Sequence, residues 1–203
     1  MTRSRLLLLC ALALAACGPR VLVKNRPQTG KRPRVAVLPF KDAPGSPGTG
    51  ELAREAFASE ILAVDQYEVI DRSALDKIVE EQKLAMSGAV DPAQAMQLGK
   101  LLGADGVIVG AVTEFQRRKL LMFPPAKVAV TARMINTKTG VVDWATQHSV
   151  GGAKRWLTWV LWPVGALATA TSPSAEDQVQ STARSVCKKL RRELASSAVP
   201  GPR

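Results

Sequence analysis

The hydrophobic residues of this 203-residue chain fall into short blocks, and their spacing changes along its length. RVAVLPF (34–40) is a continuous apolar block too short for a helix, so it reads as a buried strand. Leu52, Phe57, Ile61 and Val64 recur near helical spacing and predict a helix. YEVIDR (67–72) reads as a second short strand. Leu75, Ile78, Val79 and Gln82 then mark one stripe of a helix that Ser73 can cap and that runs to about Met86. Asp91-Pro92-Ala93-Gln94 starts another helix, with an acceptor cap, proline in the first turn and Gln at the capping-box position. Gly103 is its natural stop.

Beyond Gly103 the spacing turns to that of strands. DGVIVGAVTEF (105–115) reads as one strand, and KVAVTARMIN alternates Val128, Val130, Ala132 and Met134 on one face of the next. Thr137-Lys138-Thr139-Gly140 is a hairpin loop with glycine where positive φ is needed, and VVDWATQHSV returns as the partner strand. A last helix begins after Pro173, with the stripe Val179, Ala183, Val186, Leu190 and Leu194. The order β-α-β-α-α-β-β-β-α implies an α/β (α+β) sandwich: one mixed sheet of about five strands with about four helices packed on it. Residues 18–34 carry three prolines and two glycines and read as a linker.

Ahead of the linker stands MTRSRLLLLCALALAAC. Arg3 and Arg5 form a positive start, Leu6 to Leu14 an apolar stretch too short to span a bilayer, and Leu14-Ala15-Ala16-Cys17 a cleavage site followed by cysteine. This is the pattern of a bacterial lipoprotein, in which the Cys17 thiol takes a diacylglyceryl group and the freed amine an acyl chain. Several acyl chains exceed the single chain that anchors only marginally. Gly18 follows, where an Asp would favour retention at the inner membrane, so the expectation is the outer membrane. The resulting division is 1–16 signal peptide, 17–33 lipidated cysteine and basic linker, 34–195 folded domain with an apolar insert at 151–174, and 196–203 disordered tail.

Composition removes several functions. One histidine and three cysteines exclude a Cys/His zinc site and a disulfide scaffold. After cleavage Cys187 is the lone unmodified thiol. Without a nucleophile–base–orienter set, no catalytic residue, metal or cofactor is expected, and the chain does not read as an enzyme. The net charge of +11 is concentrated at the ends: residues 20–34 hold +6 and residues 184–203 hold +5, while the body is nearly neutral. Export makes nucleic acid an unsuitable partner. Arg184, Lys188, Arg191 and Arg192 share one face of the last helix, and an anionic lipid or envelope polymer suits that charge.

From residue 34 to about 149 the chain resembles the family of the curli secretion protein CsgG. RVAVLPF carries the likeness, with VIDRSALDKIVEEQKLAMSGAVDPAQAMQLGKLLGADGVIVGAVTEF and the strand pair around INTKTG. The penicillin-binding-protein activator LpoB and the N-terminal domain of TolB share that fold. The resemblance implies a periplasm-facing outer-membrane lipoprotein that binds a protein partner in secretion, surface assembly or control of a peptidoglycan synthase. It also implies a homo-oligomeric ring as the alternative. A channel by the family's route is not expected. Its first membrane hairpin would have to come from Gln116 to Ala126, which holds Arg117, Arg118, Lys119 and a Pro-Pro pair and is too short for two membrane strands of about 9–11 residues each.

Four further places invite a functional reading. GSPGTG (45–50) sits between strand and helix as phosphate loops do, but lacks the GK[ST] ending, and loop flexibility explains it better. Asp71 and Arg72 follow the second strand at the edge where α/β sheets bind ligands, and a capped helix start is the favoured account. His148 has no catalytic companions and reads as structural. Trp156 to Ala175 carries no charge and holds Trp156, Trp159 and Trp162, three of the chain's four tryptophans, beside Lys154 and Arg155. That composition fits a membrane interface, a loop folded over the domain's own sheet, or an oligomer contact.

Overall fold

The computed structural model describes residues 19–27, 31–71, 73, 75, 77, 91–116, 127–151 and 174–196. They form one mixed six-stranded sheet with helices on both faces. In chain order the elements are β1 (Arg20–Val23), β2 (Arg34–Val37), α1 (Thr49–Ile61), β3 (Glu68–Val69), α2 (Pro92–Leu102), β4 (Gly106–Gln116), β5 (Lys127–Asn136), β6 (Val142–Gly151) and α3 (Ala175–Ala195). The strand order is β1-β6-β5-β4-β2-β3. β2 lies parallel to β3 and β4, while β4, β5, β6 and β1 run antiparallel in turn.

The α+β architecture matches the sequence expectation, with two differences. The stretch read as linker contributes β1, so the sheet has six strands instead of about five. Pro19 and Pro27 bracket that strand without interrupting it, and Val21 is buried against α3. Three helices are described in full instead of about four. Of the helix expected from Ser73 to Met86, Ser73, Leu75 and Lys77 are helical and the rest lies outside the described residues.

Alternation in the strands sorts the core into two clusters. Val35, Val37, Ile108, Val112, Val128, Val130, Ala132 and Met134 face α1 and α3. The predicted α3 stripe is wholly buried there, from Val179 to Leu194, and each such side chain is worth about 1.5–3 kcal/mol relative to exposure. Ala36, Leu38, Val107, Val109 and Ile135 point the other way, towards Ala95, Leu98 and Leu102 of α2. β2 is thus covered on both faces.

Local signals place the helix ends where the sequence puts them. The Asp91 side chain accepts from Gln94 N at 2.7 Å, Gln94 Oε1 accepts from Asp91 N at 3.3 Å, and Gly103 closes α2 at φ 59. Ser174 and Asp177 form the same reciprocal box at the start of α3. Gly140 turns the β5–β6 hairpin at φ 69.

Candidate functional site

Among the described residues, α2 and Leu75 cover the β2 side of the second face of the sheet. α2 packs against β4 and β5 near the β2 side. Beyond it, β1, β6, β5 and β4 carry a trough of about 890 Å³. Strand register sets its floor. Arg20, Gln147, Thr131 and Ala111 stand opposite one another across the four strands. The next row is Leu22, Ala145, Arg133 and Val109. Ala111, Thr131, Ala145 and Val109 are small, while Gln147 on β6 and Arg133 on β5 are long side chains on interior strands. Leu22 is 75% exposed, and Arg20 and Arg133 are also exposed. No carboxylate lines the trough among the described residues, and its ionisable groups are Arg20, Arg133 and His148. Glu114, further along β4, is held by Lys127 at 2.6 Å.

The basic helix face exists as a geometric feature. Arg184, Lys188, Arg191 and Arg192 are all exposed on α3. Arg184 has a partner, however: its Nε donates to Glu60 at 3.0 Å and ties α3 to α1. β1 packs against α3 through Val21, whereas Arg20 lines the trough on the opposite face of the sheet. Cys17, Arg72 and the insert with Trp156, Trp159 and Trp162 lie outside the described residues.

The other candidates resolve into structure. Asp71 caps the following helix by accepting from Ser73 N at 2.8 Å and from the Ser73 hydroxyl. The 45–50 loop is pinned, contrary to the flexibility expected of it. Asp42 accepts from Gly50 N at 2.6 Å, so a carboxylate of the chain itself occupies the α1 N-terminus that a phosphate would need. Thr49 Oγ1 accepts from Ala43 N at 2.9 Å and donates to Ser46 O at 2.8 Å. A Cβ at Gly50 would stand 1.9 Å from the Phe40 carbonyl oxygen, so close approach explains this glycine.

His148 is partly buried, and burial pushes its pKa down, which keeps the ring neutral at pH 7. The Cys187 thiol is buried and pushed up to about 12 by burial and by nearby Glu60, so it is inert. Among the described residues no group of three His, Cys, Asp or Glu could hold a metal, and no helix is long and apolar enough to cross a membrane.

Sequence reading missed two buried polar groups. Arg54 on α1 is 4% exposed, and its Nε donates to the Val37 carbonyl at 3.1 Å at the end of β2. Asp143 accepts from Asn25 at 3.0 Å and from Asn136 at 3.4 Å, fastening the segment after β1 to the hairpin. A polar residue between apolar helix positions gives no sign of being buried until its acceptor is placed.

The family described as curli production assembly/transport component CsgG matches residues 21–119. That match spans just under half of the chain and marks its first half as similar to the CsgG family. The match begins inside β1 and runs through β4, so the CsgG-like unit takes in the strand that the sequence hid in a linker. A solved PelC dodecamer from Paraburkholderia phytofirmans shares the fold with 19% identity and a TM-score of 0.51, covering 83% of this chain and 97% of that one. Looser matches include a lipoprotein from Neisseria meningitidis (20% identity, TM-score 0.49, 69% of this chain and 99% of that one). Another is the LpoB C-terminal domain from Salmonella enterica (14% identity, TM-score 0.47, 63% and 88%). No curated protein matches the sequence significantly.

Proposed function

We propose that this chain is a lipid-anchored protein of the bacterial outer membrane. Its CsgG-like domain faces the periplasm and acts by binding another envelope protein, not by catalysis. The observation that carries this reading is the trough on the sheet of a CsgG-like domain, which has no catalytic set beside it among the described residues. Cys17 is the attachment point. The basic β1 flank and the α3 face add an electrostatic contact with anionic lipid, screened beyond about 8 Å at physiological salt. Trp156, Trp159 and Trp162 supply a second, interfacial membrane contact. Replacing Cys17 with Ala should abolish fatty-acid labelling and release the protein from membranes. Labelling that persists in the variant would refute the anchor.

A ring is the second reading, favoured by the shared fold with a protein that forms a dodecamer. Light scattering with size exclusion in detergent separates the two: a large uniform oligomer supports the ring, and a monomer supports the simple binding module.

A further inference from the structure

We infer that the domain stands end-on on the bilayer, with the sheet end that carries Gln116, Lys127 and Gly151 against anionic lipid headgroups and the opposite end turned away. This rests on the reading of Cys17 as the lipid attachment point, and it names the surface of the fold that the anchor brings to the membrane.

The length of chain ahead of β1 sets the stance. Cys17 and Arg20 are three residues apart, so their Cα atoms are separated by no more than about 11 Å. Arg20 is the first residue of β1 and stands opposite Gln147 on β6. From that level β6 runs four residues on to Gly151, about 14 Å at the usual rise per residue. Gly151 pairs with Lys127, and Lys127 with Gln116, so the ends of three strands lie together there. In the other direction the hairpin turn at Gly140 lies seven residues away, about 24 Å. The anchor therefore comes within a few Å of the Gly151 level and falls well short of the turn. β1 is antiparallel to β6, so the chain also enters the sheet from the Gly151 end.

Composition separates the two ends in the same sense. At the Gly151 end the chain leaves the sheet into residues 117–126 and 152–173. Their sequences hold Arg117, Arg118, Lys119, Lys154 and Arg155 and no Asp or Glu, together with Phe123 and three tryptophans. Cations and aromatic residues without acids suit an anionic headgroup layer. The opposite end has cations too, but acids stand among them: Arg34 pairs with Glu68 and Lys138 with Asp105, and Asp65 is exposed just ahead of β3. Anionic lipid would repel those acids and meets none in the two segments at the Gly151 end.

The test uses the full lipidated chain in vesicles of phosphatidylethanolamine and phosphatidylglycerol that contain a nitroxide-headgroup lipid. A fluorophore is placed on one introduced cysteine at a time, at exposed positions of either end: Gln116→Cys against Lys138→Cys, and Ser149→Cys against Thr139→Cys. Cys187 is buried and does not compete for the dye. Quenching should be at least twofold stronger at Gln116→Cys than at Lys138→Cys, with the same ratio in the second pair, which carries the test if a variant of the first does not fold. The ratio should fall towards one in vesicles of phosphatidylcholine alone. Equal quenching at both ends, as in a domain lying on its β1 edge, would overturn the stance, as would stronger quenching at Lys138→Cys or none at either end. A ratio that ignores anionic lipid content would overturn the headgroup contact. Fatty-acid labelling of the same preparations reports on the anchor by itself: labelled protein with equal quenching refutes the stance alone, and unlabelled protein refutes the anchor and the stance with it.

Discussion

Alternate residues of β5 meet two different environments. Val130, Ala132 and Met134 lie sealed under α1 and α3, while Thr131 and Arg133 look into a trough that no described element covers. Both faces belong to one sheet with one set of backbone hydrogen bonds. Among the described residues, α3 has 21 residues and reaches β1, β5 and β6, whereas α2 has 11 and packs on β4 and β5. The α1/α3 face therefore holds the larger of the two buried clusters among the described residues.

The largest expected effect comes from the covered face. Leu190→Ala should destabilise the domain by about 2–5 kcal/mol in urea unfolding, because a fully buried side chain leaves a cavity. Leu22→Ala, at the margin of the trough, should change stability by less than about 0.5 kcal/mol. Equal losses at both positions would break the comparison. Arg54→Ala comes next, at about 1–3 kcal/mol, because it leaves the buried Val37 carbonyl without its donor.

α2, on the trough side of the sheet, should respond less. Asp91→Ala removes its cap and should cost about 1 kcal/mol, with the trough still intact. The smallest effect lies at the surface. Lys138 bonds Asp105 at 2.7 Å, and with the Arg34 N–H it holds that carboxyl below its usual range. A depressed folded-state pKa contributes stability that is present above the unfolded value of 3.8 and is lost as pH falls through the folded one. Acid unfolding of Asp105→Asn should accordingly converge on wild type below that range, while at neutral pH the variant is weaker by under about 1 kcal/mol.

How much of this was legible in the sequence follows from how local each signal is. The α3 stripe, the Asp91–Gln94 box, Gly103 and Gly140 all act within a turn or two, and the structure has each where the pattern placed it. β1 was not legible, because four residues between prolines have no alternation long enough to register, and their partner β6 lies over a hundred residues away. The Val128–Met134 alternation showed which β5 residues face one side. It could not show how far α2 covers the opposite side, since that depends on where α2 stops. Arg20 read as linker charge and Arg133 as an ordinary strand residue. Only the register, Arg20 to Gln147 to Thr131, brings them to one trough. Arg184 was read as part of a free basic face, and its bond to Glu60 required the packing of α3 on α1.

The difference between the two faces is tested most directly by two substitutions at adjacent positions, Thr131→Lys and Ala132→Lys, with thermal unfolding measured on each. Ala132 is 3% exposed beneath the helices, so a lysine there should unfold the domain, at a cost of about 3–5 kcal/mol for an unpaired buried charge. Thr131 is only partly buried, so Thr131→Lys should keep the wild-type melting temperature within a few degrees. A Thr131→Lys protein that unfolds, or an Ala132→Lys protein as stable as wild type, would contradict the account.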